Sequence, residues 1–220
     1  ENDLRKYAKI QYKREEHIKK LLEETIKTEK SFMDGMRFLS NITPEEIKKF
    51  YANAPKKEKK GLTPEAQVIN LIEKSKEFYA AHAALLKAMG KEGDLNGWAI
   101  ALEKSVAAFE NYAAAFNHNI KLPSQMDEMV QQGYKGLTFG SLAILPIQRG
   151  PRYRLLGQEF LRQIPASDPR YKAAQLFTNN GHKIGKVIDD YNARIEMEKL
   201  NDKFERLRNG KPRSKETQTL

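Results

Sequence analysis

None of the chain's 220 residues is cysteine. That excludes disulfides, thiolate metal sites and a cysteine nucleophile, and it fits a reducing compartment. No run of about 18 apolar residues occurs, so no segment reads as a membrane span. The opening Glu1-Asn2-Asp3 is acidic and is not followed by an apolar signal-peptide core, so no secretion signal is visible. In that setting Asn41-Ile42-Thr43 reads as a chance glycosylation pattern. Also missing are a P-loop, a Gly-x-Gly-x-x-Gly turn, a His-Glu-x-x-His helix and a nucleophile elbow. His17, His82, His118 and His182 fall in separate helical patterns and read as surface or core-edge residues, not metal ligands. The expectation is that no cofactor or metal takes part, and that any reaction is promoted by binding rather than covalent chemistry.

What the chain has in excess is positive charge, 39 Lys and Arg against 29 Asp and Glu, a net +10. Such an excess suits an acidic protein face, a lipid headgroup layer or nucleic acid; a lysine-rich solvated surface is the bland alternative. Lys56-Lys57-Glu58-Lys59-Lys60 and the tail from Lys203 to Lys215 are the clearest clusters. No nucleic-acid motif accompanies them and no single basic stripe forms, so a nucleic-acid partner is not expected.

The hydrophobic periodicity is helical nearly throughout, and no strand of convincing length appears. From Leu4 to Leu39 there is no proline and one glycine, Gly35. Thr43-Pro44-Glu45-Glu46 has the form of a capping box opening a short helix, which ends in the Lys56–Lys60 loop. Thr63-Pro64 opens a helix to about Met89, and Gly93-Asp94 one to about Lys121. A short helix and turn span Pro123 to Gly136. A helix carrying Pro146 and Pro151 runs from Ser141 to Ile164. Asp168 and Pro169 start the last helix, which runs from Arg170 to about Arg208. The pattern predicts an all-α, elongated bundle of about six main helices with long first and last members. Residues 1–209 would form one domain, and 210–220 a flexible basic tail.

Three features break this regularity. The first helix has an apolar stripe at Ile18, Leu22, Ile26, Met33 and Met36, interrupted by Glu29. A carboxylate there is either paired at the stripe edge or held on a dry, uncovered face for a partner. The segment from Leu145 to Leu156 holds Pro146, Gly150 and Pro151, and an interior proline costs roughly 3 kcal/mol of helix propensity. Gln148 and Arg152, four apart, project from one face. The segment either bends round the core or displays that amide and guanidinium. In the last helix Asn192 borders the stripe Asn180, Ile184, Ile188, Tyr191 and Ile195, where asparagine is a poor helix former.

These segments resemble the Dbl-homology (DH, or RhoGEF) domain, the exchange module for Rho-family GTPases, over about His17 to Lys199. Ser141-Leu142-Ala143-Ile144-Leu145-Pro146-Ile147-Gln148-Arg149-Gly150-Pro151-Arg152-Tyr153-Arg154-Leu155-Leu156 is similar to the family's Pro-Val-Gln-Arg-Ile-Pro-Arg-Tyr-x-Leu-Leu-Leu signature. Thr25-Ile26-Lys27-Thr28-Glu29-Lys30-Ser31-Phe32-Met33 is similar to its Leu-x-Thr-Glu-x-x-Tyr-Val helix. Phe109 to Asn117 and Val187 to Asn192 echo its middle and end. The resemblance implies a guanine-nucleotide exchange factor that acts by binding. Glu29 would engage switch I of the GTPase, Gln148 and Arg152 switch II and its surroundings, and Asn192 the switch II backbone. Leu155 and Leu156 would line the same groove. It also implies a cytoplasmic signalling protein, peripheral at an anionic membrane if the charge is used there. Gly150, Leu145 and Gly157 depart from the family pattern, and no pleckstrin-homology segment follows. Such divergence leaves open a catalytically degenerate scaffold that binds a GTPase or an acidic lipid surface, and equally a bacterial effector working in a host cytosol.

Overall fold

The structure, a computed structural model, describes residues 2–90 and 93–209. The predicted tail, 210–220, lies outside the described residues. Among these residues there are nine helices and no strand: α1 (Asn2–Ser40), α2 (Pro44–Asn53), α3 (Lys56–Lys59), α4 (Glu65–Met89), α5 (Leu95–Ala115), α6 (Ser124–Gly133), α7 (Phe139–Ala143), α8 (Leu145–Gln163) and α9 (Tyr171–Arg208). The five long helices close a ring. α1 packs on α4, α4 on α5, α5 on α9, α9 on α8, and α8 on α1. Their inward stripes bury Phe78, Phe109, Tyr112, Tyr153, Phe160 and Phe177 in one core. Trp98, the chain's single tryptophan, is wholly buried in α5, edge-on to Phe160, and its Nε1 has no hydrogen-bond partner.

The capping box predicted at Thr43 and Glu46 forms in full and starts α2. Elsewhere local chemistry moves the boundaries. Thr63 does not cap α4. Its hydroxyl accepts the Lys121 N–H (2.9 Å), tying the start of α4 to the chain beyond α5. α5 stops at Ala115, short of Lys121, because Phe116 turns extended (φ −72°, ψ 132°) and packs its ring on Tyr112 and Tyr191. The helix expected from Ser141 to Ile164 is two, α7 and α8, divided at Ile144. Pro146 has no N–H to carry the α7 ladder forward, so α8 starts afresh with that proline in its first turn. Asp168 accepts the Arg170 N–H (2.8 Å) and also grips its guanidinium, and α9 begins just after, at Tyr171.

α8 and α9 approach unusually closely, and glycine permits it. A Cβ on Gly181 would sit 2.7 Å from the backbone N of Arg154, and one on Gly157 2.6 Å from Cα of Thr178. A Cβ on Gly150 would meet Ile188 Cγ1 at 2.7 Å. The aliphatic residue expected there would not fit, because Ile188 already fills the space. These contacts also set the direction of the helices. Gly150 lies opposite Ile188 and Gly157 opposite Thr178, so α8 and α9 run antiparallel.

Candidate functional site

The segment of α8 with the two prolines is fixed from beneath by a buried polar cluster. Glu29, wholly buried on α1, is its centre. Arg149 donates to Glu29 Oε2 through Nε (3.0 Å) and Nη2 (2.6 Å), and to the Thr28 hydroxyl through Nη1 (3.1 Å). The Tyr153 hydroxyl lies 2.9 Å from both carboxylate oxygens. From α4, His82 Nε2 approaches Glu29 Oε1 (2.7 Å) and the Tyr153 hydroxyl (2.8 Å). His82 Nδ1 has no partner, so Nε2 is the nitrogen that carries the donated proton.

Burial works to raise the Glu29 pKa, but His82 and Arg149 outweigh it and hold the carboxyl below its ordinary value. Burial, reinforced by the Glu29 charge, pushes the Tyr153 hydroxyl well above the ordinary phenol value, so it stays a donor. The lowered Glu29 value has a consequence for stability. The carboxylate's contribution is fully present above the unfolded-state pKa, about 4.3, and is lost as pH falls through the lower folded-state value. Glu29→Gln is expected to flatten the pH dependence of the unfolding temperature on the acid side. Thermal melts at graded pH check this, and a slope matching wild type would remove Glu29 as its cause.

Glu29 is therefore not on the uncovered face that a partner-contacting carboxylate requires; His82 of α4 and Arg149 and Tyr153 of α8 cover it. The other expected residues lie outside. Gln148, Arg152 and Leu155 are exposed along the outer ridge of α8, and Leu156 is half-buried beside them. Asn192 is exposed on α9, one turn beyond Ile188 on the stripe that faces α8. Gly150 lies opposite Ile188, so Asn192 is carried to the N-terminal end of α8, toward Gln148.

Sequence reasoning passed over Glu24. It is exposed on α1 one turn before Thr28, the residue that meets Arg149. α1 and α8 also run antiparallel, with Thr28 at Arg149 and Gly35 at Leu145. Glu24 thus falls on the α8 side of α1, level with Arg152 to Leu156. Its neighbour Glu23 turns away into a hollow with Ile26 and Lys27. Nothing in the sequence separates the two glutamates; only the placement of α8 does. Among the described residues the side chains of Glu24, Gln148, Arg152 and Asn192 make no ion pair or hydrogen bond, while Arg149, between Gln148 and Arg152, is fully engaged.

A sequence profile of the RhoGEF domain matches residues 21–189, from the middle of α1 to the middle of α9. The chain belongs to the RhoGEF domain family. It is thereby an exchange factor for Rho-family GTPases, with such a GTPase as partner. The fold agrees. The crystal structure of the DH domain of FARP2 superposes with a TM-score of 0.58, covering 84% of this chain and 94% of that one at 13% identity. No curated protein matches the chain. The profile takes in the whole buried cluster of this RhoGEF domain and the ridge of α8. Asn192 falls just past its end. No helix among the described residues is long and apolar enough to cross a membrane.

Proposed function

We propose that this domain binds the switch regions of a Rho-family GTPase across the α1–α8–α9 surface and promotes release of GDP by favouring the nucleotide-free form. One observation carries the reading. Four polar side chains from three helices stand around the α8 ridge without internal partners, on a segment whose backbone is fixed from below. Exchange needs interactions stronger with the empty GTPase than with the loaded one, and makes or breaks no bond in this chain. Gln148, Arg152 and Asn192 supply the donors and acceptors for switch II, with Leu155 and Leu156 as the apolar floor. Glu24 offers the carboxylate for switch I. Glu29 acts from inside, as the anchor of Arg149 and Tyr153, and reaches no partner.

Arg152→Ala and Asn192→Ala are each expected to slow exchange about tenfold or more, the loss of one charged or desolvated hydrogen bond, with helicity unchanged. Release of a fluorescent nucleotide from a panel of Rho-family GTPases measures it. Rates within about twofold of wild type for both variants would remove these residues from the mechanism. Tight binding without accelerated release would instead identify a scaffold.

The same proposal includes a cytoplasmic setting close to an anionic membrane. At the α2–α3 corner Lys48, Lys49, Lys56, Lys57 and Lys60 are exposed and make no ion pair among the described residues. Their acidic neighbour Glu58 is occupied by Ser124 of α6. Co-sedimentation with phosphatidylserine vesicles is expected and should vanish when Lys56, Lys57 and Lys60 are changed to Gln; vesicle binding that survives would discard this corner.

A further inference from the structure

Pro151 lies inside α8 and has no N–H to give the Ile147 carbonyl. The ladder of α8 thus lacks the rung that would tie position 151 to Ile147, in the turn that holds Gln148 and leads directly into Arg152, the two ridge residues that exchange needs in register. What spans the break lies underneath. Arg149 stands before the proline and Tyr153 after it, and both bond to the one carboxylate of Glu29. Arg149 reaches back to Thr28 as well, so the turn before Pro151 is tied to α1 at two successive residues. His82 of α4 backs the carboxylate, and the Arg149 guanidinium lies 5.1 Å from the centre of the Tyr153 ring.

We infer that this cluster is a clamp across Pro151, and that Arg149 is a positioning residue for exchange, setting the orientation of Gln148 relative to Arg152 without touching the GTPase itself. The inference rests on the exchange reading above. Its chemistry is the planar guanidinium fork. One ammonium cannot hold Thr28 and both ends of the Glu29 contact at fixed angles, so lysine keeps the charge and loses the geometry. A merely structural Arg149 would lower stability alone. A positioning Arg149 must also alter the chemistry of the folded molecule, and a repaired ladder must partly relieve its loss.

The experiment compares wild type, Arg149→Lys, Pro151→Ala and the double variant on one responsive Rho-family GTPase. All are assayed below their melting temperatures. Arg149→Lys is expected to lower the maximal exchange rate about tenfold while the GTPase concentration for half-maximal rate moves less than about threefold. Amide hydrogen exchange over residues 147–155 should quicken. In the double variant alanine returns the missing donor, so the rate should recover at least about threefold over Arg149→Lys, and the amides should slow again. If Arg149→Lys does not fold, Tyr153→Phe, which removes only the hydroxyl beyond the proline, takes its place with the same expectations. A folded variant exchanging at the wild-type rate, or no recovery on adding Pro151→Ala, overturns the clamp. A wild-type protein that releases nucleotide from no GTPase in the panel overturns the exchange reading instead, and the hydrogen-exchange arm still tests the clamp.

Discussion

Glu29→Ala should destabilise the fold by about 3–5 kcal/mol, the range for removing one partner of a buried ion pair. The loss exceeds that of a missing contact because of what remains. The Arg149 cation stays buried without a counter-charge, and the Tyr153 hydroxyl and His82 Nε2 lose their shared acceptor. With total stabilities of about 5–15 kcal/mol, such a loss takes at least about a fifth of the margin and, at the low end of the range, all of it. Glu29→Gln keeps the shape and some acceptor capacity, so its loss should be smaller. Denaturant midpoints followed by circular dichroism rank the two. A Glu29→Ala loss below about 1 kcal/mol would mean that the cluster relaxes freely, and α8 would then have no anchor in it.

Gly181→Ala carries the second large effect, and its sign is decided by two opposing magnitudes. Replacing an interior helical glycine by alanine gains about 1 kcal/mol of propensity. Here the added Cβ would lie 2.7 Å from the Tyr153 carbonyl carbon and the Arg154 nitrogen, both backbone atoms with no rotamer to yield. Relief requires α8 and α9 to separate, and overpacking of this kind costs about 1–3 kcal/mol and occasionally more. The net expectation is destabilisation. Gly150→Ala meets the side chains of Ile188 (2.7 Å) and Ile184 (3.2 Å) rather than backbone, and should cost less. Gly61→Ala, with nothing within 4 Å, should be neutral or stabilising. The order Gly181, Gly150, Gly61 in falling cost is what melting temperatures test; Gly181→Ala at or above wild-type stability would contradict the close approach. Any separation also shifts Asn192 against the α8 ridge, so exchange should fall with stability.

The fold was legible because its signals are local. The Thr43–Glu46 capping box, the Pro165–Pro169 break and the proline-free run of α1 each act within a few residues, and each governs the structure. Boundaries slipped where tertiary contacts override them: Phe116 leaves α5 to reach Tyr191, and Thr63 gives its hydroxyl to Lys121 in place of its own helix. At the site, the spacing of Gln148 and Arg152 and the oddity of Asn192 marked exposed positions. Glu29 was legible as an anomaly but not as an interior one. Its partners are 53, 120 and 124 residues away, and no helical period reports on a side chain so distant. Glu24 was hidden for the converse reason, since exposure on the α8 side depends on where α8 lies.

Trp98 has a practical consequence. A lone indole in a dry aromatic pocket emits toward the blue, and water reaching it on unfolding moves the emission toward the red. Because the ring is enclosed by α5 and α8 and not exposed at the ridge, docking of a GTPase should leave its spectrum alone. A spectral change on mixing with a tryptophan-free GTPase variant would therefore register a rearrangement of the core itself, reported without any attached dye.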